Sequence, residues 1–166
     1  EDGIRDVAVT GVQTCALPIY KTIKSIMSES GLCEYKLTDI DEVVESAEGI
    51  ISPELTGEAV LTIGGTVDEI IDDVDGVIII GPFGCMPHRV AESILNSSLE
   101  EQKRKNIKNE ESEEILDRFS SLPFLAIEVD GSVFTQVIEA RIESFSLQVE
   151  RINEYKKQNR EKILKN

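Results

Sequence analysis

Gly76-Val77-Ile78-Ile79-Ile80-Gly81-Pro82-Phe83-Gly84-Cys85-Met86-Pro87 is the stretch on which the fold turns. Four consecutive β-branched residues without polar alternation predict a strand buried on both faces, as in parallel sheets. Glycine and proline crowd the next seven positions, which predicts a loop. Val90, Ala91, Ile94 and Leu95 then share one side of a helix running from His88 to Leu95. A second stretch repeats this order. Pro123-Phe124-Leu125-Ala126-Ile127-Glu128-Val129 reads as a strand, and Asp130-Gly131 as a turn. Ile138, Ile142, Phe145, Val149 and Ile152 form the inner stripe of a long helix, which is expected to fray after Tyr155, where the chain turns basic and polar.

Upstream, Lys21 to Ser30 reads as a short helix stopped by Gly31. Thr38 or Asp39 can cap the next helix, with Glu42 placed as in a capping box and Val43, Val44 and Ala47 facing inward. Ser52 as N-cap and Pro53 as first helical residue predict a third helix. Its stripe is Leu55, Ala59, Ile63, Val67, Ile70 and Val74. Gly64-Gly65 inside it costs about 1 kcal/mol per glycine relative to alanine, which a close approach to a neighbour would explain. Residues 96–121, rich in Glu, Lys, Asn and Ser, read as an exposed helical excursion rather than a core element. The order of helices and strands is that of a parallel α/β layer. Two strands make a very small sheet. The expected architecture is therefore the C-terminal part of a doubly wound, Rossmann-like domain, truncated upstream, whose missing strands precede residue 20.

Residues 1–19 read differently. The run EDGIRDVAVTGVQTCALPI has no signal- or transit-peptide pattern, and it resembles a translated sequencing adapter. On that reading the natural protein covers residues 20–166, and Cys15 is not a ligand.

Composition narrows the function. Seventeen basic against 32 acidic side chains give a net charge of −15, which repels phosphate backbones and anionic membranes. No apolar run approaches the roughly 20 residues of a membrane helix. A single histidine excludes mechanisms and zinc motifs needing two. Three irregularly spaced cysteines make no disulfide framework, so the chain reads as cytoplasmic.

In open α/β sheets ligands sit beyond the carboxyl ends of the strands, here the loops 81–88 and 129–135. The first holds Cys85, just before a helix N-terminus. Such a position favours negative charge, and thiolate is the form that ligates metal or attacks an electrophile. Gly81 and Gly84 would let the backbone approach a ligand. A buried bystander cysteine is the alternative. Cys85-x-x-His88 has metal-like spacing, but a zinc site needs four ligands and no second pair exists. Cys33 lies outside these motifs and reads as an ordinary thiol. Glu128 and Asp130 fall on one side of the second strand, as an acid/base pair or, more simply, as partners of loop N–H groups, Arg89 or Arg141. No glycine-rich Gly-x-Gly-x-x-Gly loop follows either strand, and no P-loop is present.

The segment 76–87, with Arg89, Ala91 and Glu92 behind it, resembles the C-terminal region of acyl-CoA dehydratase activase-related proteins. So does 122–131, followed by Gln136, Glu139-Ala140-Arg141 and Phe145, and so does Gly57-Glu58-Ala59. The resemblance spans about residues 52–152, and extends more distantly to the iron–sulfur subunits of 2-hydroxyacyl-CoA dehydratases and benzoyl-CoA reductases. It implies a [4Fe-4S] or double-cubane cluster serving ATP-driven, low-potential electron transfer in an anaerobic system. Cys85 matches the ligand position, flanked by Gly81 and Gly84. The remaining cysteines, and the ATPase module through which ATP would act, would lie in missing upstream domains, a dehydratase or a second subunit. By itself this piece would be inactive. A non-catalytic α/β module docking an ATPase or dehydratase is the competing expectation.

Overall fold

The computed structural model describes residues 19–31, 38–55, 57–131 and 135–164. The chain divides into two units, Glu1–Asp39 and Ile40–Asn166. In the first, helix α1 covers residues 19–29 and ends at Gly31, whose φ of +73° no β-carbon opposes. Tyr20 Oη lies 3.0 Å from Thr38 Oγ1.

The second unit is mixed helix and strand. It contains α2 (Ile40–Ser46), α3 (Ala59–Glu69), β1 (Val77–Pro82), α4 (Met86–Lys105), α5 (Glu110–Arg118), β2 (Phe124–Val129) and α6 (Thr135–Leu164). The strands pair in parallel, in register from Val77↔Phe124 to Pro82↔Val129. A parallel pair needs a long crossover, which α4 and α5 provide. One core joins Ile63 and Val67 of α3, Ile79 of β1, Leu95 and Leu99 of α4, Ile115 of α5 and Ile152 of α6. The expected α/β class is therefore present, as a two-stranded parallel sheet with helices packed on it.

Four expectations need correction. Helix α3 starts at Ala59, not at Pro53: Gly57 adopts φ +116°, which a helix cannot contain. Ser52 Oγ instead accepts a hydrogen bond from the Glu54 amide, 3.3 Å, within a turn. The helix also stops at Glu69, since Ile70 is extended and Ile71 has φ +62°.

Strand β1 is buried on one face only. Ile79 and Gly81 face inward, while Ile78 and Ile80 are 40% and 69% exposed. Helix α6 packs on β2, where Leu125, Ala126 and Ile127 are all buried, and leaves the outer face of β1 open.

Residues 96–121 are helical but not an excursion, because Leu99, Ile115 and Leu116 belong to the core. Their charges are partly structural. Lys103 is fully buried, and its Nζ donates to Val67 O (2.8 Å), Asp68 O (3.0 Å) and the Asp72 carboxylate. A lysine thus satisfies carbonyls left over at the C-terminus of α3.

Nor does α6 fray after Tyr155, since it runs to Leu164. Lys156 is buried, and its Nζ donates to Ile71 O and Asp75 Oδ1, each at 2.8 Å. Two lysines therefore clasp the turn at residues 67–75, where the backbone leaves α3 through the positive-φ Ile71.

Candidate functional site

The carboxyl end of β1 opens into a cleft of about 240 Å³, lined by Glu58, Thr62, residues 79–82, Cys85 and His88. The local chain explains its shape. Cys85 N donates to Pro82 O at 3.1 Å, closing a tight turn in which Gly84 takes φ +73°. Cys85 is then the N-cap of α4, with Pro87 in the first helical turn, where a missing N–H costs nothing. Its carbonyl accepts the first helical bond from Arg89 N at 3.0 Å. Its side chain makes no capping bond, so the half-buried thiol is uncommitted at a helix N-terminus.

Gly81 and His88 fit each other. A β-carbon on Gly81 would lie 2.4 Å from His88 Cγ and 2.5 Å from Nδ1. The space at Gly81 is thus filled by the imidazole, which gives that glycine a packing reason of its own. His88 is 8% exposed, and its Nε2 has no hydrogen-bond partner. The entry of α3 into the cleft is set in a similar way: a β-carbon on Gly57 would sit 3.0 Å from Pro87 Cγ, and Glu58 and Thr62 follow. Thr62 Oγ1 is spent on its own helix, donating to Glu58 O at 2.9 Å.

Of the two acids Glu128 and Asp130, Glu128 is paired as expected: its Oε1 lies 3.3 Å from Arg89 Nε, close enough for attraction but outside hydrogen-bond geometry. Arg141 goes elsewhere, donating to Ala126 O at 2.7 Å. Asp130 is exposed just beyond β2. Cys15 and Cys33 lie outside the described residues, as do positions 132–134 of the second loop.

The structure thus brings Gly81, Cys85 and His88 to one cleft, with Gly84 shaping its turn. It adds Glu58 and Thr62, which sequence reasoning missed. Glu58 is the N-cap of α3 and Thr62 lies in its first turn, and only the docking of Gly57 on Pro87 carries them to the end of β1. Among the described residues no three of His, Cys, Asp or Glu are grouped so as to hold a metal ion. Of the four thiolates that a [4Fe-4S] cluster needs, the described residues therefore offer one, Cys85.

These features define an α/β protein with a cleft at the carboxyl end of a parallel strand. No protein-family profile, curated protein or solved structure matches this chain. Among the described residues, no helix is long and apolar enough to cross a membrane.

Proposed function

We propose that this chain is part of an activase-related iron–sulfur protein of the 2-hydroxyacyl-CoA dehydratase type, in which Cys85 is one cluster ligand. The observation that supports it is the uncommitted Cys85 thiol, half-buried at a helix N-terminus and at the carboxyl end of a parallel strand. A [4Fe-4S] or double-cubane cluster, when bound, would supply one-electron chemistry at low potential. This chain's residues would anchor one iron, shield it with Ile79 and Ile80, and present the helix N-terminus to its negative charge. ATP would act through another domain, and a dehydratase would be the electron acceptor in the cytoplasm. On this reading the sheet belongs to a larger, Rossmann-like one, and residues 1–19 are foreign to the natural protein.

The test is anaerobic reconstitution with iron, sulfide and an excess of a small thiol, which fills the positions the chain leaves open, comparing iron content and visible absorption for the chain and Cys85→Ser. Loss of bound iron in the variant is the expected result. Equal iron and an unchanged spectrum would remove Cys85 from the ligand set.

A second reading, a docking module without a cluster, is favoured by one feature: Ile78, Ile80, Phe83 and Met86 are exposed around the same end of β1. An apolar surface of this kind suits a partner protein.

A further inference from the structure

Uncommitted side chains also meet at the amino end of the sheet, opposite Cys85. There the last turn of α5, the link at 119–121 that leads into β2, and the flank of α6 border a cavity of about 160 Å³. Its polar lining is Arg118, Ser120, Ser121, Gln148 and Arg151. Among the described residues no carboxylate lines it, in a chain that carries 32 acidic side chains. The arginines there differ from the rest. Arg89, Arg104 and Arg160 each meet a carboxylate, and Arg141 donates to a carbonyl. Among the described residues, Arg118 and Arg151 form no ion pair and donate no hydrogen bond; Arg118 lies over the Tyr155 ring, 5.0 Å from its centroid. The hydroxyls of Ser120 and Ser121 and the side-chain amide of Gln148 are likewise unengaged there.

We propose that this cavity binds a phosphoryl group, as inorganic phosphate or as the phosphate of a small monoester. A guanidinium offers paired N–H donors that match phosphate oxygens, and it stays charged at any working pH. Two guanidiniums, two hydroxyls and a side-chain amide together supply donors for the several lone pairs of a tetrahedral dianion. Two cations on one cavity repel each other, and a shared dianion turns that repulsion into attraction. The opposing effects are smaller. The C-terminus of α5 carries partial negative charge, but this fades within its last turn, where Arg118 itself offsets it. The net charge of −15 repels polyanions at long range, yet salt screens it beyond about 8 Å. Glu154 lines a neighbouring hollow of about 230 Å³, which shares Arg118, Phe119 and Arg151 and adds Tyr155. Volume narrows the ligand. About 160 Å³ suits a phosphoryl group, whereas drug-sized ligands take about 300–1,000 Å³. The body of a monoester would extend into the outer hollow, against Phe119 and Tyr155, whose rings meet edge to face at 5.8 Å. The inference does not depend on Cys85.

The experiment titrates the full chain at neutral pH and low ionic strength with inorganic phosphate, phenyl phosphate and acetate, followed by calorimetry and amide resonances. Phosphate should bind more tightly than acetate and shift the resonances of Ser120, Ser121 and the Gln148 side chain. Arg118→Gln and Arg151→Gln should each weaken phosphate binding about tenfold or more, because each removes a charged hydrogen-bond donor. Arg118→Lys and Arg151→Lys keep the charge but lose the paired donors, and should also weaken it. Lys157→Gln, at an exposed cation outside the cavity, and Cys85→Ser should leave binding unchanged. Tighter binding of phenyl phosphate than of inorganic phosphate assigns the site to a monoester, and the reverse order assigns it to the free ion; either order sustains the proposal. No binding of either phosphate overturns it, as do shifts that miss residues 118–121 and 148–151, or acetate binding as tightly as phosphate. These outcomes are read on the parent chain, so they hold even if a variant does not fold. Unchanged affinity in both Arg→Gln variants overturns it as well.

Discussion

Gly64 of α3 packs so closely on Val43 of α2 that a β-carbon there would lie 1.9 Å from the Val43 carbonyl oxygen. Gly65, one residue on, has nothing within 4 Å of the same position. The pair costs helix stability twice, but only Gly64 returns it through close packing. Gly64→Ala should therefore destabilise the fold by about 1–3 kcal/mol through forced displacement of α2. Gly65→Ala should stabilise it by about 0.5–1 kcal/mol, as alanine is the better helix former. Urea denaturation of the two variants checks both signs.

Lys103 gives a second prediction. Burial holds its ammonium below the usual lysine range, with Asp72 opposing that shift. Lys103→Met keeps the stem but leaves Val67 O, Asp68 O and the Asp72 carboxylate without their shared donor. Removing one partner of a buried pair costs about 3–5 kcal/mol. A loss below 1 kcal/mol in denaturation would show that the clasp is dispensable.

Acid stability should report on Asp75. Burial raises its pKa, but hydrogen bonds from Lys156 and Asn153 and the charges of Lys156 and Arg160 outweigh it, so the carboxyl sits below its ordinary 3.8. The folded state therefore binds fewer protons than the unfolded one in that window. Its contribution is fully present above pH 3.8 and is lost as pH falls through the lower folded value. Asp75→Asn should be less stable than the parent at neutral pH, and the gap should narrow on acidification below pH 3.8. Denaturation curves at successive pH values measure this.

Gly81→Ala should disturb His88 directly, since the added methyl would lie within 2.4–2.8 Å of its ring and Cβ. Overpacking of this kind costs about 1–3 kcal/mol. The single histidine makes the movement visible as a shift of its imidazole resonances. An unshifted spectrum would mean that the ring does not rest on Gly81.

The open face of β1 should promote self-association. No charged side chain interrupts residues 76–87, so nothing on this strand guards its outer side. Sedimentation velocity should show concentration-dependent association in the parent chain. Ile80→Lys, a change at a 69% exposed site, should reduce it without lowering stability.

Much of the fold was readable. The apolar run 77–80, the run 124–129 and the glycine- and proline-rich loop between β1 and α4 each carry a local signal, and each element formed there. What was not readable depends on distant partners. The stripe from Leu55 to Val74 is continuous in sequence, yet the helix within it is shorter because Gly57 docks on Pro87 and the turn at 67–75 is clasped by Lys103 and Lys156. Cys85 was visible as a candidate from its neighbours alone. Glu58 at the cleft, and the burial of His88 against Gly81, were not, since both follow from contacts between separate elements.

The sequence by itself determined the class of the protein, a parallel α/β layer with a thiol at a strand's carboxyl end. It could do so because strand, turn and helix preferences are local, set by β-branching, by φ and by the period of apolar residues. Only the tertiary structure decided which charges are buried, which face of β1 stays open, and which side chains meet at Cys85. Those outcomes depend on pairing groups up to 85 residues apart, as Ile71 O with Lys156 Nζ, and such pairings leave no periodic trace along the chain.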